Sequence, residues 1–449
     1  MLKADYLSVV KKSARRDAPN VILILVDCLR ARNIGAYGMG AVETPNIDQL
    51  AAASFLFRKA FVQMPYTQPS TASIVSSLYP SIHGIVRPDT RFAAETVGAG
   101  EIFAAAGYDS AAFVGNPHIN PRSGHLAGIQ YFSDGRSGLS RLSSRLARWG
   151  EDSPALNRAF FCWLARRPVA PRPFFSFLFY IDTHNPYSGL PKPLHRFLNR
   201  RLHYPDYARN RYAAAEIAQI ERLYRRRVRL ADRSIGALVR FLKERGQWER
   251  TLLVLSADHG EGIDSRPEHG FHGALYEKGI HVPLIVSAPW LGGAPQAYDT
   301  LMESIDILPS LTELTGLPLS EGFQGRSFAP LLKGEPYAPR EFVAGEYNDN
   351  RYVRTPHWKY INNTEGMLGR SARWSEGADL MDFEEVYDLT ADPDEERNVV
   401  RALNAPELQL LRAFHAQFLR MLKGPAFSPE TYTVDDAVLE RLKELGYLE

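Results

Sequence analysis

Asp27 directly follows the apolar run VILILV at 21–26, and Asp258 and His259 directly follow LLVLSA at 252–257. Both runs are short, β-branched or Leu-rich and bounded by polar residues, which reads as buried strands of a parallel sheet. An ionised carboxylate at the end of such a strand is costly unless it is paired or bound to a cation. A metal ion is the economical partner. Two carboxylates and an imidazole beside a glycine suit a hard-to-borderline divalent ion. An Asp-His pair alone describes a strand-end hydrogen bond equally well, but two strand ends far apart in sequence and joined by the fold favour the metal. Thr67, in MPYTQPSTASIVSSLYPSIHG, precedes a Ser-rich helical start. A helix N-terminus suits anion binding and a lowered hydroxyl pKa, although composition alone describes an ordinary N-cap with proline in the first turn.

These residues need a scaffold that gathers strand ends. From Asn20 onward strand-like runs alternate with helical patterns: VILILV, then TPNIDQLAAASFLFRKAF as one amphipathic helix, a helix from about Ser70, SAAFVG, FFSFLFYI, a long helix within residues 213–246, TLLVLSA and VPLIVSAP. Such alternation predicts an α/β fold, a parallel or mostly parallel sheet covered by helices on both faces. Ligands in that architecture bind outside the carboxyl ends of the strands, where Asp27, His184 and Asp258 all fall. Asn116 and His118 follow SAAFVG and are further pocket candidates, whereas His83, His269, Tyr387 and Asp388 read as packing, loop or interface residues. From about Tyr337 the texture changes to short strands and turns ahead of a helix at about 405–422, a small antiparallel subdomain. The expected organisation is an extension at 1–19, a catalytic domain at 20–336 and a C-terminal subdomain at 337–449.

The 449 residues, 45% hydrophobic and 23% charged, have the balance of a globular chain with a large core. Lys and Arg number 53 against 51 Asp and Glu, a net charge of +2. That sum excludes a wholesale polyanion-binding composition, so no nucleic-acid partner is expected. Cys28 and Cys162 cannot build a disulfide scaffold or a Cys-rich metal site. No export signal of ordinary form and no membrane-spanning run is visible, which makes cytoplasmic the default expectation. Residues 136–230 are rich in Arg, either a solvated helix face or a basic collar that draws an anionic substrate or a phospholipid surface to the site.

Taken in order, NVILILVDCLRARNIGAYG, TPNIDQLA, TQPSTASIVSSLYPSIHG, FYIDTHNPY, LLVLSADHGEG, FHGALYEKGIHVPLIV and VYDLTADPDEERN resemble the successive motifs of the sulfatase-like branch of the alkaline phosphatase superfamily. The resemblance implies a three-layer α/β/α core with a small C-terminal antiparallel subdomain carrying one helix. It also implies roles by position. Asp27 matches the first metal ligand, and Cys28 replaces a second Asp that many members carry. Asp258 matches a ligand Asp, and His259 stands where many sulfatases have Asn. Thr67 matches the nucleophile and joins the ligand set. His184 matches a histidine that contacts the transferred group or protonates the leaving oxygen. His272 stands five residues before Glu277, where many members place Lys.

The departures carry as much information as the matches. Sulfatases of this branch oxidise a Cys or Ser to formylglycine, and Thr67 cannot yield that aldehyde because its methyl group would leave a ketone. Thr71 also replaces the Arg of the motif. A plain alkoxide nucleophile is left, which suits phosphoryl transfer. The resemblance therefore implies a metal-dependent hydrolase of a small anionic ester, a phosphodiester or phosphonate monoester ahead of a sulfate ester. A phosphoryl-headgroup transferase and a metal-binding pseudoenzyme are the alternatives. Asp182 and His184 lie two apart rather than four, so one divalent ion is expected, and the imidazole favours Mn²⁺ or Zn²⁺ over Ca²⁺.

Overall fold

A computed structural model describes residues 2–38, 43–87, 89–135, 152–167, 172–185, 187, 213–263, 275–363, 384–423, 426–436, 438–439 and 442. In chain order the first strands are β1 (Asn20–Val26), β2 (Phe55–Phe61), β3 (Thr90–Arg91), β4 (Asp109–Val114), β5 (Tyr131–Ser133), β6 (Phe174–Tyr180), β7 (Thr251–Ser256), β8 (His281–Ser287) and β9 (Gln296–Glu303). All but β3 form one eight-stranded sheet in the order β5-β4-β6-β1-β7-β8-β2-β9. Every neighbouring pair is parallel except the two that β8 makes, with β7 and β2. Seven strands thus run one way and bring their carboxyl ends to one edge.

The central strands β1, β6 and β7 are buried at every position, as expected of strands covered on both faces. Helix Ala214–Glu244 packs against both Pro45–Ala52 and Ser153–Ala165. The N-terminal helix Lys3–Lys12 lies against Ala99–Ala105, with Tyr6 buried and its hydroxyl donating to the Pro318 carbonyl at 2.9 Å. This is the mostly parallel, helix-covered sheet that the pattern predicts. Among the described residues no helix is long and apolar enough to cross a membrane.

One local expectation fails. Residues 55–61, FLFRKAF, do not continue the helix that begins at Pro45; they form β2, because Ala53 and Ser54 end the helix and β8 and β9 flank the segment on either side. VPLIVSAP forms a strand as expected, but β8 runs antiparallel to its neighbours, a direction that its apolar composition does not encode.

Strands β10 (Val343–Tyr347), β11 (Asn350–Arg354), β12 (Trp358–Asn362) and β13 (Glu384–Asp388) make an antiparallel sheet in that order. Helix Ala405–Met421, capped by Asn404 accepting from the Glu407 N–H at 3.1 Å, buries Leu411 and Phe418 in a core that includes Val353, Tyr360 and Val386. β14 (Glu430–Thr431) then returns to pair with β3. A buried ionic cluster ties this sheet to the segment before β8. Lys359, fully buried, reaches Glu395 at 2.8 Å and Glu277 at 3.4 Å, and Arg354 also meets Glu277 at 3.4 Å. Burial pushes the Glu277 carboxyl up, but Arg354 and Lys359 outweigh it and hold it at about 2.

Removing one partner from such a cluster strands its charges. Lys359→Met should lower unfolding stability in urea by about 3–5 kcal/mol. A loss below about 1 kcal/mol would show that the cluster does not couple the subdomain to the core.

Candidate active site

The register of the sheet decides what meets what. Leu25 pairs with Ser256 on β7 and Val26 with Tyr180 on β6, so Asp27, Asp258 and the turn after β6 emerge side by side. Asp27 and Asp258 are completely buried, and His259 is 2% exposed. Cys28 adopts φ of +60°, a left-handed conformation that costs an L-residue roughly 1–2 kcal/mol. That turn brings the Cys28 N–H to Asp258 Oδ1 at 3.2 Å, joined there by the His259 N–H at 2.8 Å. The Cys28 thiol lies 3.2 Å from Asp27 Oδ1, and Asn116 Nδ2 donates to Asp27 Oδ2 at 2.6 Å. Asp258 Oδ2 is a buried oxygen that no hydrogen bond among the described residues satisfies.

His259 defines the rest. Its Nδ1 lies 2.7 Å from the Gly260 carbonyl, which can only accept, so Nδ1 carries the proton and Nε2 the lone pair. Nε2 faces Asp258 Oδ2 at 3.5 Å, Asp27 Oδ1 at 3.9 Å and Thr67 Oγ1 at 3.2 Å. Burial pushes the imidazole down and keeps it neutral, while burial and then the Asp27 charge push the Asp258 carboxyl up. Only the Thr67 hydroxyl and the Cys28 thiol bring protons among these acceptors, and a divalent cation would offset the crowding of lone pairs and negative charge that remains. One ligand atom from each of Asp27, Asp258 and His259 lies within 4.8 Å of the others. The donor set, two carboxylates and a neutral imidazole with one orphaned oxygen, fits a divalent metal ion.

Thr67 opens the helix Thr67–Ser76, all ten residues of which are buried. This helix starts three residues earlier than the sequence suggests, which puts Thr67 itself at the positive end. Its supports are side chains on the buried faces. Ser70 Oγ donates to the Asp258 carbonyl, tying the helix of Thr67 to the loop of Asp258 and His259. His125 Nε2 donates to the Gln68 carbonyl at 2.9 Å. His83 accepts the Ile85 N–H at Nδ1, 3.0 Å, so its Nε2 donates to Ser73 Oγ at 3.0 Å. Thr71, at the position of the motif's Arg, leaves a buried hydroxyl without a hydrogen-bond partner among the described residues.

The other expected residues divide. His184 is 4% exposed, donates through Nδ1 to the Asn185 carbonyl at 2.5 Å, and groups with Asp27 and Cys28. His272, like His269, lies outside the described residues. Asp182 turns to structure: it accepts the Ser153 N–H at 3.1 Å and pairs with Arg227 at 3.6 Å. Asn116, weighed above only as a pocket residue, proves to hold Asp27. Sequence reasoning missed Glu261 altogether. It is buried two residues after His259, takes the Tyr187 hydroxyl, and its carboxyl is pushed up to about 8 by burial. A carboxylate so close to a strand-end ligand pair was the available signal.

Residues 19–317 match the family described as Sulfatase, and residues 267–422 match the one described as N-sulphoglucosamine sulphohydrolase, C-terminal. The chain is 25% identical over 441 residues to a Delta 4,5-hexuronate-2-O-sulfatase of Bacteroides thetaiotaomicron, covering 86% of this chain and 85% of that one. It is 26% identical over 484 residues to Arylsulfatase A of Homo sapiens, covering 92% and 89%. The solved phosphonate monoester hydrolase of Agrobacterium radiobacter superposes with a TM-score of 0.69 at 21% identity, over 93% of this chain and 100% of that one.

Two measurements follow from this geometry. Asp258→Asn and Asp27→Asn should each lower bound metal, measured by elemental analysis. Chelation should abolish ester hydrolysis, with recovery on adding Mn²⁺ or Zn²⁺; unchanged metal content in both variants would exclude these ligands. Burial lowers His83 to about 3. Because its folded value lies below the unfolded one near 6.5, the stability it contributes is present above pH 6.5 and lost as pH falls toward 3. One such group adds a slope of up to about 1.4 kcal/mol per pH unit. His83→Gln should flatten the pH dependence of urea unfolding between pH 6.5 and 4.5, and an unchanged slope would contradict a neutral buried His83.

Proposed function

This chain belongs to the sulfatase family, and from that premise we propose that it hydrolyses an anionic ester through the Thr67 hydroxyl, a phosphodiester or phosphonate monoester ahead of a sulfate ester. The observation that carries the reading is the 3.2 Å approach of Thr67 Oγ1 to His259 Nε2, at the first residue of a wholly buried helix. The hydroxyl thereby joins the Asp27, Asp258 and His259 cluster as a fourth ligand-type group. Asp27, Asp258, His259 and Thr67 would hold a single divalent ion, Mn²⁺ or Zn²⁺ in preference to Ca²⁺, which would lower the pKa of the hydroxyl and neutralise charge on the attacked group.

The residues of the chain do the rest. The helix N-terminus sets the positive end of its dipole beside the Thr67 hydroxyl. Thr67 Oγ gives up its proton to His184 Nε2 and attacks phosphorus, and the ester oxygen departs with the proton that His184 passes on; His272 is assigned to the same end of the bond by resemblance. Water then attacks the phosphoryl-threonine at phosphorus and restores the hydroxyl. A threonine cannot release its product by collapse of a hemiacetal, so the second attack must fall on the transferred atom. A phosphorus ester also gains more from a cation, because its transition state places more negative charge on the non-bridging oxygens than that of a sulfate monoester.

The relatives named as sulfatases keep a sulfate ester within this reading, and the preference for phosphorus rests on Thr67. A panel of p-nitrophenyl sulfate, phosphate, phosphodiester and phosphonate esters on metal-loaded protein tests it. For the phosphodiester or phosphonate, kcat/KM should exceed that for the matched sulfate by at least about tenfold, or about 1.4 kcal/mol of transition-state stabilisation. Faster turnover of the sulfate would overturn the preference. Thr67→Ala should abolish turnover of every substrate with little loss of metal, and Thr67→Ser should retain measurable activity. Full activity in Thr67→Ala would remove Thr67 from the mechanism.

A further inference from the structure

The long helix Ala214–Glu244 has two unlike faces. Tyr224, Val228, Ala231, Ile235, Leu238 and Leu242 are buried. Arg222, Arg226, Arg229, Arg233 and Arg240 are exposed, and their spacing of three, four or seven residues sets them in one row on the opposite face. By the rise of an α-helix that row is about 27 Å long. The guanidinium groups of Arg222, Arg226, Arg229 and Arg233 make no ion pair and no hydrogen bond among the described residues. Their neighbours off the row are engaged: Arg225 faces Glu221 at 3.8 Å and Arg227 faces Asp182 at 3.6 Å. We propose that this face docks the protein on a lipid bilayer that carries anionic phospholipid headgroups.

No acid interrupts the row. Between Glu221 and Glu244 the helix carries one carboxylate, Asp232, which is buried and accepts the Asn46 and Ile47 N–H groups at 3.0 and 2.9 Å. Like charges four residues apart, as in Arg222 with Arg226 and Arg229 with Arg233, weaken a helix, so the row gives the fold nothing and points to an anionic partner outside it. The adjacent helix Ser153–Ala165 broadens the charge. It is held alongside by Ser153 Oγ donating to Ser234 Oγ at 2.7 Å and by Phe161 stacked on Phe241 at 4.0 Å between ring centroids, and it adds the exposed Arg158, with Arg166 exposed at its end. The cations thus cover an area, beneath which mobile headgroups can gather, whereas an extended polymer follows a single row. Among the described residues neither helix exposes a large apolar side chain, so the contact is adsorption to headgroups and not insertion among acyl chains. Each cation near an anionic bilayer adds attraction that fades within a Debye length. The helix meets the site through its other face, where the Tyr224 hydroxyl donates to the Cys28 carbonyl at 2.7 Å, so docking does not cover the strand ends.

The docking face does not depend on which residue attacks the substrate, because its test reads sedimentation with vesicles rather than turnover. Full-length protein is mixed with vesicles of phosphatidylcholine and phosphatidylglycerol, and separately with phosphatidylcholine alone. It should sediment with the mixed vesicles at low salt, stay in solution with phosphatidylcholine alone, and be released at high salt. The variant carrying Arg222→Gln, Arg226→Gln, Arg229→Gln and Arg233→Gln should bind the mixed vesicles at least about a hundredfold more weakly. A charge-matched variant altered at exposed positions elsewhere, Lys11→Gln, Lys12→Gln, Arg16→Gln and Lys423→Gln, should bind like the parent. Absence of binding to the mixed vesicles overturns the proposal and leaves a solvated helix face. Equal binding to phosphatidylcholine alone, or equal weakening in the two variants, overturns it as well. So does arginine-dependent binding to dextran sulfate without binding to vesicles, which would assign the face to a linear polyanion. If the fourfold variant fails to fold by circular dichroism, Arg226→Gln and Arg229→Gln made singly, each weakening vesicle binding by about fivefold, decide in its place.

Discussion

Two carboxylates buried at the ends of adjacent strands set the terms for the whole site. The effective penalty of taking an ion out of water is several kcal/mol even after relaxation, so Asp27 and Asp258 persist side by side only if something offsets their charge. The surrounding structure supplies part of that. Asn116 and the Cys28 thiol meet the two oxygens of Asp27, and two backbone N–H groups meet one oxygen of Asp258. The last oxygen, Asp258 Oδ2, and the lone pair of His259 are left facing each other at 3.5 Å. What these donors leave is a set of ligand atoms, one each from Asp27, Asp258 and His259, that would hold a divalent cation.

The position of Thr67, the residue proposed as nucleophile, depends on the same part of the structure. Ser70 ties the helix of Thr67 to the carbonyl of Asp258, so the hydroxyl and the ligand loop are positioned as one body. The helix is buried on all sides, which fixes Thr67 without help from the arginine that the motif usually carries. Thr71 occupies that position with no charge and a hydroxyl that no hydrogen bond among the described residues satisfies. A site built to hold an oxidised aldehyde would have reason to keep the cation; a site using a plain alcohol depends instead on the ligand cluster and the helix end.

Much of this was legible in the amino-acid order because the informative residues follow their strands immediately. Asp27 and Asp258 announce themselves as charges terminating apolar runs, and local pattern suffices to find them. What pattern cannot supply is the identity of the neighbour. Asn116 holds Asp27 only because β4 lies one strand beyond β6 from β1, a relation set by sheet order. The direction of β8 and the strand state of residues 55–61 are likewise decided by partners distant in sequence. Phe55, Leu56, Phe57, Ala60 and Phe61 are apolar enough to extend the preceding helix, and only pairing with β8 and β9 makes them a strand. The buried role of Lys359 was invisible for the same reason: its two carboxylate partners lie far from it along the chain.

The central claim, that an unmodified threonine carries the transferred group, is tested most directly by trapping that group on the protein. Metal-loaded enzyme quenched during turnover of a slow phosphodiester or phosphonate ester would be digested and its peptides weighed. The account predicts an unmodified Thr67 side chain before reaction and, after quenching, the mass of the transferred phosphoryl group on the peptide bearing Thr67, localised to that residue by fragmentation. An adduct on any other residue, or an oxidised side chain at position 67 in the active protein, would contradict it.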